Sequence, residues 1–140
     1  MTRGEILDLC RRWKDAHDRR DLKTFASLYA RDAALESPIA GDTPAREGVL
    51  KASEGFLNAF PDAVMTVEPP IIDGDRVTLV AEMSGKQVGA FMGLPPTGKG
   101  VRFRLVFLLD VADGLIVRDR RIYDFTGLLV QVGVLKAKPA

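Results

Sequence analysis

Asp124 closes a run, LIVRDRRIYD at 115–124, whose composition reads as a β-strand. Two-residue periodicity puts it on the same face as Ile122 and Arg120. If that face lines an apolar cavity, the carboxyl is desolvated and holds its proton more tightly. It can then take a proton from a carbon beside a carbonyl and return it to a developing alkoxide. Two other roles suit the same position: capping the turn that follows, or pairing with Arg120, whose guanidinium would pull the proton affinity down. Tyr123 has the opposite parity and is expected on the other face, packing at a dimer interface, unless a bulge intervenes.

His17 is the only histidine and the second candidate for acid/base work. It follows Trp13 by one helical turn on an apolar face, where a histidine hydrogen-bonded to backbone is the plainer reading. Arg102 and Arg104 share a strand face and could stabilise an enolate or bind a carboxylate bidentately. They could equally lie on a wet face and pair across strands with Glu82. Glu36, after a short strand, is a further pocket candidate. With one cysteine and one histidine, a zinc site is not expected.

The elements that must position these groups follow from periodicity and punctuation. Ile6, Leu9, Cys10, Trp13, Ala16 and His17 recur at spacings of three and four, predicting a helix over 5–19. Thr2 and Glu5 fit a capping box at its start. Asp21 caps a second predicted helix, 22–30, which includes Tyr29. A short strand at 33–37 precedes a loop marked by Pro38, Gly41 and Pro44. A third helix is expected over 45–60, with Phe56 and Phe60 inward, ended by Pro61-Asp62. Strands at 63–72 and 76–88 flank the turn Asp73-Gly74-Asp75, and Pro69-Pro70 belong to an edge, a bulge or a strand end. Residues 101–112 alternate, with Val101, Phe103, Leu105, Phe107 and Leu109 on one face. Asp113-Gly114 then predicts a tight hairpin into the run that ends at Asp124. Residues 125–133 read as a closing helical turn and 134–140 as a frayed tail.

Helices first and a strand meander after them make an α+β fold: one domain over 1–140, helices against a curved antiparallel sheet, with an apolar ligand pocket between the layers. The chain of 140 residues suits one core, and a net charge of +1 provides no field to attract nucleic acid or acidic lipid. No apolar run approaches the roughly 20 residues that span a bilayer. A lone cysteine and no leader-like N-terminus suggest a cytoplasmic protein.

Four stretches carry a resemblance: Trp13 to Ala33 through Arg20-Asp21-Leu22; Phe60-Pro61-Asp62; the run GAFMGLPPTGK at 89–99; and Asp113-Gly114-Leu115-Ile116-Val117 to Gly133. In these the chain resembles the SnoaL-like polyketide cyclases of the nuclear transport factor 2-like superfamily. The resemblance covers nearly the whole chain, and the FMGLPPTGK segment is its most specific part. It implies a cone-shaped α+β barrel (a cystatin-like roll) with a deep apolar cavity, commonly homodimeric. It also implies ring closure by intramolecular aldol condensation without metal or cofactor, with Asp124 matching the family's acid/base aspartate. Two departures stand out. Gln87 replaces the histidine of a His-x-Gly motif and can hydrogen-bond a carbonyl but not shuttle protons. Arg118 or Asp119 and Arg120 replace a glutamate and a tryptophan. The substrate is then expected to be a small hydrophobic carbonyl compound. Trp13, Tyr29, Phe56 and Phe107 are expected in the wall, Phe91, Met92 and Leu94 in a wall or lid, and Gln87, Arg104 and Arg120 as polar contacts. The alternatives are a non-catalytic ligand-binding protein of the same fold, a dimeric scaffold whose cavity its own side chains fill, or an epoxide-hydrolase-like member, which in this fold needs an arginine and two acids on one water; Arg102 or Arg104 with Asp124 and Asp110 are the available set.

Overall fold

The structure is a computed structural model that describes residues 1–38 and 41–136. Helix α1 (Arg3–Asp18) starts at a complete capping box: Thr2 Oγ1 accepts from Glu5 N, and the Glu5 carboxylate accepts from Thr2 N. Its buried stripe is Ile6, Leu9, Cys10, Trp13, Ala16 and His17, as the periodicity predicts. Helix α2 (Leu22–Ser27), capped by Asp21, stops earlier than expected. Tyr29, read from sequence as helical, opens strand β1 (Tyr29–Ser37) instead. Its ring is fully buried and its hydroxyl has a partner on the far side of the sheet. That long-range partner overrides the local helical spacing.

Strand β2 (Gly41–Pro44) pairs antiparallel with β1, where a loop was expected. Helix α3 (Ala45–Ala59) leads to β3 (Val64–Val67) and β4 (Ile71–Asp73), two short strands separated by Pro69-Pro70 where one long strand was expected. Both pair with β5 (Arg76–Lys86). Strands β6 (Gly100–Ala112) and β7 (Leu115–Tyr123) form the hairpin, and α4 (Phe125–Gln131) follows. The sheet order is β2-β1-β7-β6-β5-β3, with β4 also on β5. The β1–β7 pair is parallel, which corrects the expectation of a wholly antiparallel sheet. Most of the chain separates these two strands, so no hairpin forces them antiparallel. The helices pack against one face of this curved sheet, making the expected α+β arrangement.

Asp113 and Gly114 both have positive φ, at 51° and 81°, the backbone a two-residue primed hairpin turn requires. Just beyond it the register slips. Asp110 pairs with Arg118, but Val111 pairs with Ile116, so Val117 is an extra residue in β7. This bulge reverses the parity of everything after it. Ile116 points inward, and so do Asp119, Arg121 and Tyr123, which lie opposite Leu109, Phe107 and Leu105. Arg118, Arg120 and Ile122 take the outer face, where Ile122 is 60% exposed.

Candidate functional site

A cavity of about 530 Å³ opens between the helices and the inner face of the sheet. Most of its wall is apolar or aromatic. Trp13 stands edge-on to Phe107, with ring centroids 4.9 Å apart, and tilts against Phe25 at 5.2 Å. Phe56, Phe91 and Phe103 continue the wall. Among the described residues its polar groups are His17, Ser37, Lys51, Ser53, Arg121 and Tyr123.

Arg121 is the cation inside this wall, its side chain only 14% exposed. Nε and Nη2 both donate to Asp119 Oδ2, at 3.2 and 2.9 Å. Asp119 is fully buried, and the same oxygen accepts from the Tyr29 hydroxyl at 2.7 Å. Tyr29 in turn accepts from Trp13 Nε1 at 3.0 Å. A chain Trp13–Tyr29–Asp119–Arg121 thus ties α1, β1 and β7 together behind the cavity. The guanidinium carbon also lies 5.1 Å above the Phe107 ring, in reach of its π face. Burial together with the negative Asp119 holds the Tyr29 proton well above the ordinary phenol range. Although burial opposes it, Asp119 keeps Arg121 firmly protonated. The site therefore holds a fixed positive charge with its hydrogen-bonding face set by geometry.

His17 lines the same cavity at 6% exposure, edge-on to Phe25. Its Nδ1 is buried without a hydrogen-bond partner. Burial first, then the positive charge of Arg20, pulls its pKa down to about 4; Lys14 and Arg121 act in the same direction and Asp18 opposes them. At neutral pH the imidazole is uncharged and able to accept a proton.

Asp124 lies elsewhere. It is exposed, its carboxylate accepts from Gly127 N at 2.8 Å, and it is the N-cap of α4. The parity count that would have turned it inward fails at the Val117 bulge. Tyr123, expected on the outer face, lines the cavity for the same reason. Its hydroxyl is 3.4 Å from that of Ser37. Arg120 falls on the outer face, away from the cavity. Arg104 and Arg102 are exposed and face Glu82, at 3.8 and 3.4 Å. Glu36 forms a two-pronged ion pair with Arg118. Among the described residues no carboxylate lines the cavity, so the acids needed for epoxide opening do not converge there.

Of the other expected contacts, Trp13, Phe56, Phe91, Met92 and Phe107 line the cavity, whereas Tyr29 lies behind it. Leu94 closes the loop tip by exchanging backbone hydrogen bonds with Phe91. Gln87 is buried within the loop rather than offered to a ligand. Nε2 donates to Gly89 O and Pro95 O, and Oε1 accepts from Thr97 Oγ1. The loop is also clamped to α3, since Val88 N and Gly89 N both donate to Ala59 O. A Cβ at Gly89 would stand 2.4 Å from Asn58 O, so only glycine permits this approach. Gln87 thereby fixes the segment that brings Ala90, Phe91 and Met92 to the cavity wall. Among the described residues no cluster of histidine, cysteine and acidic side chains could hold a metal ion.

The sequence marks Asp119 only as a replacement for a family residue and gives Arg121 no role, because both look like surface charges in a strand crowded with them. Their legible signal was opposite charge at a separation of two, which places both on one face.

A curved α+β sheet, helices over one face and an apolar cavity with a fixed cation define a small-molecule pocket protein. The SnoaL-like polyketide cyclase profile matches residues 7–132, and the chain belongs to that family. AclR from Streptomyces galilaeus, described as a proposed hydroxylase, is 30% identical, with a TM-score of 0.85 over 99% of this chain and 91% of that one. IdmH from Streptomyces antibioticus, described as a proposed polyketide cyclase, is 32% identical, with a TM-score of 0.75 over 91% and 97%. A Catenulispora acidiphila protein with a ketosteroid isomerase-like fold shares that fold at 20% identity and a TM-score of 0.75, over 94% and 97%. No curated protein sequence matches the chain. Among the described residues no helix is long and apolar enough to cross a membrane.

Proposed function

We propose that this protein catalyses an aldol-type cyclisation, or a related isomerisation, of an apolar polyketide-like carbonyl compound. The carrying observation is that a neutral buried imidazole and a fixed guanidinium line one apolar cavity. His17 takes a proton from the carbon beside a carbonyl. The C–H electron pair passes into the enolate, whose oxygen accepts hydrogen bonds from Arg121. The enolate carbon then attacks a second carbonyl of the same molecule. The new alkoxide recovers the proton from the imidazolium, so the sequence balances without an outside reagent. So weak a base needs the enolate stabilised as it forms, and that is the contribution of Arg121.

The test uses 1-tetralone in deuterium oxide, with loss of the protons beside its carbonyl followed by NMR. Wild-type protein should accelerate exchange, and His17→Gln should lower the rate by roughly 100-fold or more, as removing a general base does. Asp124→Asn should exchange at the wild-type rate. Full exchange in His17→Gln would overturn the assignment of the base. A second reading, ligand binding without chemistry, is favoured by Gln87, which stands in place of the family histidine and is committed to the loop. It predicts that tetralone quenches Trp13 fluorescence while no variant exchanges.

A further inference from the structure

The charges around the cavity are one-sided. Among the described residues two permanently charged side chains line it, Arg121 within and Lys51 at the rim, and both are cations. The protein as a whole carries only +1, so this bias is local. Arg121 is neutralised from behind by Asp119. Lys51 is different. It is exposed yet contributes to the lining, which places it at the opening. Glu47 and Glu54 lie within one turn of it on α3, but among the described residues no carboxylate comes within ion-pair distance of its ammonium. Its helical neighbours on the cavity side, Gly48, Ala52 and Gly55, are small, and a Cβ at Gly55 would meet nothing within 4 Å. The rim beside Lys51 is therefore open, and the mostly apolar wall also holds His17, whose buried Nδ1 lacks a partner.

We infer that the cavity takes an anionic carbonyl compound: the apolar body sits against the aromatic wall, the carbonyl meets Arg121, and a carboxylate stays at the mouth on Lys51. This rests on the proposed reading of the cavity as a carbonyl site and adds which carbonyl compounds it selects. A carboxylate left at a half-wet rim avoids the heavy cost of burying a charge. Lys51 is a specificity residue here and not a catalytic one.

Fluorenone-2-carboxylate and its methyl ester separate the two parts. Both are planar ketones of the same skeleton, and neither has a hydrogen beside the carbonyl, so both report binding alone. Trp13 is the single tryptophan and lines the cavity, so its quenching is the readout. The wild-type protein should bind the acid about five-fold more tightly than the ester, the worth of one partly exposed ion pair. The preference should shrink with added salt. Lys51→Gln should lose it, and Lys51→Arg should keep it. Equal binding of acid and ester by wild-type protein overturns the inference, as does an undiminished preference in Lys51→Gln. If tetralone still exchanges in either case, the carbonyl site stands and only the acid recognition falls. If neither fluorenone quenches Trp13 and tetralone does not exchange, the cavity reading falls with it.

Discussion

Lowering the pH should destabilise this protein through one side chain, because His17 is its only histidine. In the fold its pKa falls from 6.5 to about 4, chiefly through burial. The unfolded chain therefore takes up a proton before the folded one does. The stabilising contribution is complete above the unfolded value and is lost as the pH drops toward the folded one. Between roughly pH 7.5 and pH 5, the linkage amounts to about 2 kcal/mol, rising to about 3 kcal/mol once both states are protonated. The carboxylates held below their usual range, Asp8 by Arg11 and Arg12, Asp21 by its Thr24 hydrogen bonds and Glu36 by Arg118, titrate on the acid side of this window. Urea unfolding at the two pH values, followed by far-ultraviolet circular dichroism, measures the loss directly. His17→Gln should flatten the pH dependence across the window, whatever it costs at neutral pH. The burial argument fails if the variant loses as much stability as wild type on acidification. It also fails if the single imidazole resonance titrates near 6.5 in the folded protein.

Asp119→Asn leaves the buried Arg121 charge without its counterion and weakens three hydrogen bonds to one oxygen. It should cost about 3 kcal/mol, since breaking a buried pair is expensive and the guanidinium can turn only partly toward the cavity; thermal unfolding within a degree or two of wild type would refute this. Asp124→Ala should cost about 1 kcal/mol, the value of an N-cap, with ligand quenching of Trp13 retained. A loss of binding in that variant would return Asp124 to the cavity. Gln87→Ala removes three of the hydrogen bonds that hold the loop and leaves its backbone clamp on Ala59 O. Hydrogen exchange by mass spectrometry should speed up at residues 88–99 ahead of the sheet, and unaltered protection there would deny Gln87 its role as a latch.

The legible parts of this fold were those with short-range causes. The Thr2–Glu5 capping box, the stripe ending at His17, the Asp113-Gly114 turn and the alternation of β6 each lie within a few residues and have a mechanism readable from type and spacing. Tyr29 misled because its reason for being in a strand is Asp119, ninety residues away. Part of the cavity wall, Trp13, Phe56, Phe91, Met92 and Phe107, was legible as apolar residues at regular spacing. Its polar centre was not, since an arginine buried beside an aspartate has the same composition as one in solvent. The two differ only in which face of the strand they occupy, and a bulge leaves no residue signature of its own. Gln87 was noticed as a substitution, but its three partners come from a loop whose path the sequence does not dictate.

Val117 has a consequence for comparing this chain with its relatives. The identity of the residues offered to a ligand by β7 depends on whether Val117 bulges out of the ladder as much as on the residue types. Were Val117 paired regularly with Asp110 instead of bulging, Arg118, Arg120 and Ile122 would fall opposite Leu109, Phe107 and Leu105 and face the cavity, with Asp119, Arg121 and Tyr123 turned to solvent. Two homologues with the same closing strand can thus differ wholly in their pocket chemistry. Equivalent positions in this strand are matched safely only by counting back from Asp124 and the helix it caps, never forward from the hairpin.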